Sequence, residues 1–367
     1  MRRIWLLALA GALAVTLSSW GKKKKEEETQ VLQLPKEPPS ALTVETRRLV
    51  FYVTPLSAKG LLSQQTRDAL KWLVRSTNGA AVVKLRAFVA GSGDLRRVRE
   101  LVSEVFTEHR LALPVLSVVQ VGALPLEAAQ VVIEATAVAR KEVNGYGLVY
   151  VSGQGASSAA PLDPVLPLAQ QSLTHLATAV KAAGSEPGDV QRVTCFLSSL
   201  DRYADVRRLV ESNYAGAALN FVQLQRAPAR AVAECEAVAR LRWNTGAAVH
   251  MLNPEGLAQS PQLSQIALIG APKIILTGSQ EAFGFQDADA RLAFERLQKS
   301  LSQEGGSLRE AAFTSLYPLS SGISEQVRKI RSEFYDRARP PAGTMLPFQG
   351  LPSMDAGFAV DVVAVKE

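Results

Sequence analysis

The sequence predicts an α+β protein made of three consecutive units, each ordered strand, strand, helix, strand, helix, strand, strand. Three observations predict it. A β-branched or aromatic run bounded by Gly, Pro or Ser opens each unit; a one-faced helical pattern closed by a glycine follows it; and two strands around a proline turn end it. Helices on one face of each sheet leave the other face to be covered, and three such units in one chain cover it by packing their sheets together as an intramolecular pseudo-trimer.

The first unit opens at 49–54 (LVFYVT), continues with Ala69, Leu70, Leu73 and Val74 on one helical face, and reaches Gly79. A strand over 81–89 and an amphipathic helix over 95–108 follow. Strands over 116–121 and 130–138 flank Pro125 and end the unit. The second unit repeats this with 147–152 (GLVYVS), the helical face of Leu173, Leu176 and Val180, Gly184, a strand over 190–197, a helix over 203–214, and strands over 220–224 and 231–239 around Pro228. In the third, 273–277 (KIILT) precedes Leu292, Phe294, Leu297 and Leu301, then Gly305, a strand over 311–316, a helix over 325–335, and strands over 344–348 and 357–365 around Pro352. Each glycine stands where a helix ends in the left-handed conformation that costs glycine least.

Composition sets the outer limits. The 367 residues are 47% hydrophobic and 20% charged, ordinary for a globular chain of two or three domains and unlike a disordered or fibrous one. Two cysteines, Cys195 and Cys235, make neither a disulfide framework nor a metal cluster, and the three histidines have no metal-ligand spacing, so neither a metal nor another cofactor is expected. The formal charge of +7 falls to +4 without residues 1–28, too little for a nucleic-acid signature, and no nucleic-acid partner is expected. Arg2 and Arg3 ahead of the apolar run 4–17 read as an export signal over 1–20, and the charged, Pro-rich 21–41 as a tether. The expected location is the periplasm or the exterior, with membrane contact only through an uncleaved N-terminal segment. The expected domains are 42–140, 141–244 and 245–367.

Within this pattern, 181–214 and Val151-Ser152-Gly153-Gln154 resemble the middle of the Rid family of reactive imine/enamine deaminases. Ser260-Pro261-Gln262-Leu263-Ser264-Gln265 is similar to that family's opening G-P-Y-S-Q, and Arg339-Pro340-Pro341-Ala342 ahead of Leu351-Pro352 to its P-A-R…L-P close. Ala123-Leu124-Pro125 with Val132-Ile133-Glu134-Ala135 resembles its terminal L-P…E-I-E-A. The resemblance implies three tandem chorismate-mutase-like domains. It also implies a monomer doing the work of a trimer, with clefts between units for a small imino or keto acid or a related metabolite.

The family's activity, as the resemblance implies it, is hydrolysis of an imine or enamine to a 2-keto acid and ammonia, with the P-A-R arginine gripping the carboxylate in two-pronged fashion. Registered on the L-P turn, that arginine falls on Leu116, Leu219 and Gly343. Losing it costs on the order of 2–4 kcal/mol of substrate binding. The water-positioning glutamate survives only as Glu234, against Val132 and Ala359; the S-G-Q serine is Ser152, against Thr54 and Gly278; and Leu263 replaces the opening tyrosine. These losses point to a divergent member that binds a metabolite or partner in its clefts. The alternative is a deaminase confined to the second unit, with Glu234 and Ser152 catalytic and Arg226 or Arg339 holding substrate. Arg226 and Arg230 are candidates to replace the missing guanidinium, yet turn arginines usually just face solvent. RNA cleavage lacks a histidine pair and a basic, aromatic-lined stripe. Cys195 and Cys235 read as buried strand residues, and export would permit a disulfide between them.

Overall fold

The computed structural model describes residues 36–366; the export signal and most of the tether lie outside the described residues. The first unit holds β1 (Ala41–Glu45), β2 (Leu49–Val53), α1 (Leu62–Ser76), β3 (Ala81–Ala90), α2 (Arg96–Glu108), β4 (Val115–Val121) and β5 (Val131–Val138). The second holds β6 (Leu148–Ser158), α3 (Val165–Ala182), β7 (Val190–Leu197), α4 (Tyr203–Asn213), β8 (Ala218–Gln223) and β9 (Ala231–Arg240). The third comprises β10 (Val249–Leu252), β11 (Ile266–Ile269), β12 (Lys273–Thr277), β13 (Gln280–Phe283), α5 (Asp287–Gln303), β14 (Ala311–Pro318), α6 (Ser321–Arg331), β15 (Ala342–Met345) and β16 (Ala356–Lys366).

From the first helix of each unit onward the predicted order is the observed one, and Gly79, Gly184 and Gly305 have φ of 80°, 73° and 79° just past α1, α3 and α5. Ahead of that helix only the first unit has the two expected strands; the second has the single long β6 and the third has four, β10 to β13. Two further details differ. Helix α6 starts at Ser321 rather than near 325, because the Ser320 side chain accepts the Ile323 N–H and fixes the first turn. Leu292 faces solvent; Ala290, Ala293, Phe294, Leu297 and Leu301 form the buried stripe of α5.

The strands form three sheets, ordered β2-β5-β3-β4, β10-β11-β6-β9-β7-β8 and β1-β12-β16-β14-β15 with β13 also on β16. Sheet membership and chain order therefore diverge. Strand β1 runs antiparallel to β12 of the third unit, and the β10–β11 pair, which carries 260–265 in its connection, extends the second unit's sheet through β6. Each sheet packs two helices on its outer face, giving three peripheral cores. The inner faces meet in two shared apolar clusters. One joins Leu49, Phe51, Tyr150, Ile274 and Phe313; the other joins Phe88, Phe196, Tyr317 and Phe348, so all three units contribute to both.

Candidate functional site

Between those clusters lies a layer of buried charge. The closing strands β5, β9 and β16 carry Glu134, Glu236 and Asp361, paired across their sheets with Arg86, Thr194 and Ser315. Next outward, on β4, β8 and β15, stand Ser117, Asn220 and Thr344. Each of these donates to the carboxylate of a neighbouring unit: Ser117 to Asp361 at 2.7 Å, Asn220 Nδ2 to Glu134 at 2.7 Å, and Thr344 to Glu236 at 2.5 Å. This cyclic pattern is a three-fold relation written in side chains. Its cations are unequally shared. Arg86 spans Glu134 and Glu236 at 2.7 and 2.6 Å, Lys84 pairs with Asp361, and Arg192 lies 3.4 and 3.6 Å from Glu134 and Glu236. The third unit has Phe313 and Ser315 in the matching places and supplies none. Burial would raise the Glu134 carboxyl, but the Arg86 and Arg192 guanidiniums outweigh it and bring it to about 2. Three cations thus balance three carboxylates, and the layer reads as the structural core of the assembly.

The clefts lie where one unit's serine position meets the next unit's arginine position. Between the second and third units, Ser152 is fully buried, donates to the Ser264 carbonyl at 2.6 Å and accepts the Gly343 N–H at 2.8 Å. A Cβ on Gly343 would lie 2.3 Å from the Thr314 carbonyl oxygen, so no side chain fits there. Glu234 rests half-buried against Gly153 and Gly155, and burial, then the neighbouring Glu236, push its carboxyl up to about 8 while Arg230 pulls weakly the other way. Arg226 is exposed with its backbone N–H on Gln349, and Arg339 lies 4.0 Å from Asp336; neither makes a hydrogen bond or ion pair to Ser152 or Glu234 among the described residues. Between the third and first units, Gly278 backs onto the Leu116 main chain, its Cβ position 2.8 Å from the Leu116 oxygen, and Ser279 N–H reaches that oxygen at 3.2 Å. That cleft is closed at its centre.

Between the first and second units a cavity of about 530 Å³ remains. Leu219 and Val132 line it together, the arginine and glutamate positions of the register, with Val53, Leu56, Pro125 and Phe221 extending the apolar wall. Tyr203 and Arg207 of α4 stand beside them, Arg207 donating to Glu211 at 2.7 Å and to the Tyr203 hydroxyl at 3.3 Å. Asn220 lines the cavity as well. Its nitrogen is committed to Glu134, so its amide oxygen is the free end.

The serine position of this cleft is Val53, not Thr54. In the second unit Ser152 and Gly153 form a bulge between Val151 and Gln154, and Gly278 with Ser279 occupy the same place between β12 and β13. Strand β2 runs without that extra residue, which puts Val53 opposite Glu134 and Thr54 opposite Ile133. The Thr54 hydroxyl accepts the Ile133 N–H at 2.9 Å. Sequence reasoning missed Tyr203, Arg207 and Asn220, since nothing in a single helix or strand marks them as facing another unit.

Cys195 and Cys235 are directly opposite on β7 and β9, fully buried, and joined as a disulfide.

Solved structures similar to this chain include proteins that align over about a third of it. A protein of unknown function of the conserved Rid family from Yersinia pestis is 15% identical, covers 33% of this chain and 100% of its own, with a TM-score of 0.29. A YjgF family member from Neisseria meningitidis is 13% identical over 32% of this chain and 95% of its own, TM-score 0.25. TdcF from E. coli, solved with bound serine, is 24% identical over 28% and 93%, TM-score 0.23. Comparison with curated proteins finds no match. The profile of the family described as endoribonuclease L-PSP matches twice in succession, over residues 54–139 and 141–245. Those two stretches cover more than half of the chain, and it belongs to that family, the Rid/YjgF proteins.

Proposed function

We propose that this chain is a divergent family member that binds a small apolar metabolite in the cavity between its first and second units and does not hydrolyse imines there. One observation carries this reading: the open cleft presents Leu219 and Val132 in place of a guanidinium and a carboxylate. A cavity of about 530 Å³ falls within the ~300–1,000 Å³ usual for small-ligand sites, and its wall is mainly aliphatic and aromatic. The guanidinium on that wall, Arg207, is engaged by Glu211 and the Tyr203 hydroxyl, and no carboxylate lines the cavity to polarise water against a carbonyl or imine carbon. We place the protein outside the cytosol, as the N-terminal residues suggest, and the buried Cys195–Cys235 pair suits an oxidising compartment.

Imine hydrolysis in the second unit is the alternative, and Glu234 favours it: a carboxyl titrating near 8 holds a proton at neutral pH and is able to donate it. Against it, the Ser152 hydroxyl already has both its backbone partners, and neither Arg226 nor Arg339 makes a hydrogen bond or ion pair to Ser152 or Glu234 among the described residues.

Two assays on the purified chain decide. Calorimetric titration with indole, 4-ethylphenol and hexanoate is expected to show saturable binding of at least one, lost in Leu219→Trp, which fills the cavity. An amino-acid oxidase generating imines in the presence of the protein is expected to show no acceleration of ammonia release over the spontaneous rate. Acceleration that disappears in Glu234→Ala would move the chemistry to the second unit.

A further inference from the structure

The three sheets are not equally complete at one edge. In the second unit the outer edge of β6 is covered by β11, antiparallel, and the Ser152 N–H donates to the Gln265 carbonyl at 2.9 Å. In the third unit the corresponding edge of β12 is covered by β1, also antiparallel, with the Gly278 N–H on the Ser40 carbonyl at 3.0 Å. Strand β2 of the first unit ends its sheet with no strand hydrogen-bonded outside it among the described residues, though β8 of the second unit lies near it.

The ladder phase says which groups are left over. Thr54 N–H bonds Ile133 and Ala139 N–H bonds Arg48, so the even-numbered residues of β2 face β5 and Leu49, Phe51 and Val53 turn their backbone groups outward. Leu49 is provided for: its N–H bonds Thr46 and its carbonyl accepts Asn144 Nδ2 at 2.8 Å. The N–H and C=O of Phe51 and Val53, four groups, have no partner among the described residues. The cause is visible in the connectivity. Each covering strand precedes the first strand of the following unit: β11 leads into β12, and β1 leads into β2. The link from β5 to β6 contains no strand, and only Val143 and Asn144 reach back from it to Arg47 and Leu49.

We propose that this edge is a docking site for an extended segment of a second polypeptide, which adds antiparallel to Phe51–Val53 as a strand outside β2. The two filled edges define its chemistry. Their strands are four or five residues long, and Val44 of β1 with Ala267 and Ile269 of β11 enter the same axial cluster that Leu49 and Phe51 occupy. On the other face Ile266 and Leu268 join a peripheral core, and at β2 the half-buried Val50 and Tyr52 await such cover. The segment is therefore short, β-branched and apolar on both faces, and its backbone supplies up to four hydrogen bonds. This inference does not depend on the cavity binding a metabolite: Val53 borders the cavity, but Phe51, at which the test is read, does not line it.

Amide exchange followed residue by residue in the purified chain tests it, with the blocked peptide SALTVET, copied from the strand that fills the third unit's edge, as the probe. The Ser152 and Gly278 amides serve as protected references. Without peptide, the Phe51 and Val53 amides are expected to exchange freely; with saturating peptide they slow at least 10-fold. Val53→Pro removes one outward N–H and none of the β5 ladder, so it is expected to fold, as unchanged protection of the Ser152 and Gly278 amides would show, and to lose the peptide's protection of Phe51. Unchanged exchange at Phe51 and Val53 with peptide overturns the proposal. So does protection already complete in the protein alone, which would mean the chain's own N-terminal residues fill the edge, or protection that grows with protein concentration, which would mean a second copy does.

Discussion

Glu234 and Glu236 lie two residues apart on β9, share a face of the sheet, and differ in what surrounds them. Glu236 accepts from Arg86 and from Thr344, whereas Glu234 has glycines beneath it and no ion pair among the described residues. A carboxyl held near 8 in the fold and near 4.5 in the unfolded chain binds more protons when folded. Its stabilising contribution is whole below about pH 4.5 and is lost as pH rises through 8. Glu234→Gln should therefore match the parent at pH 4.5 and exceed it by about 1–2 kcal/mol at pH 9, an estimate discounted for the group's partial exposure. Thermal midpoints of both proteins across that range check it. A constant difference between them would place the Glu234 carboxyl in its ordinary range.

At the scale of elements, the closing strands β5, β9 and β16 each bring one carboxylate to the axis, and the first unit's β3 brings two of the three cations that answer them. Glu134 behaves oppositely to Glu234: held near 2, it contributes stability above about pH 4.5 and loses it as pH falls toward 2. Glu134→Gln leaves Arg86 and Arg192 short of a carboxylate and should cost about 3–5 kcal/mol at pH 7. That deficit should shrink as both proteins are taken from pH 4.5 to 2, as denaturant midpoints at each pH would show. These strands also mark how far the sequence is legible. Alternation and turn residues suffice to place β5, β9 and β16 within a residue, because local patterning determines them. Counting from the proline turns put Leu219 and Val132 at corresponding functional positions, and they do line one cavity. The axial layer stayed hidden, since Arg86, Asn220 and Asp361 acquire meaning only when three sheets are brought face to face. The offset of Thr54 by one residue has a similar cause: a missing bulge changes which residue meets Glu134, and a bulge is a property of a strand pair rather than of a strand.

At the scale of the whole molecule, the covering strands tie the first unit to the third and the third to the second, so that sequence neighbours are not always structural ones. Strand β1 lies just ahead of β2 in the chain yet completes the sheet of the third unit, pairing Ala41 to Thr277 through Glu45 to Lys273. It buries Ala41 and Val44, and Thr43 bonds Glu304 at the end of α5 through both its N–H and its hydroxyl. Removing the chain up to Glu45 takes away that apolar area and uncovers the β12 edge, while the ladder between β2 and β5 keeps every bond. The loss should amount to about 2–4 kcal/mol, the burial of two or three side chains offset by the freedom returned to five residues. Its location is the sharper expectation. Amide exchange should accelerate over Ile274–Gly278, more than two hundred residues from the cut, and stay unchanged across β2 and β5 next to it. Acceleration confined to β2 and β5 would instead mean that β1 stabilises the unit it precedes, and the interlocking of the three units through exchanged strands would have to be given up.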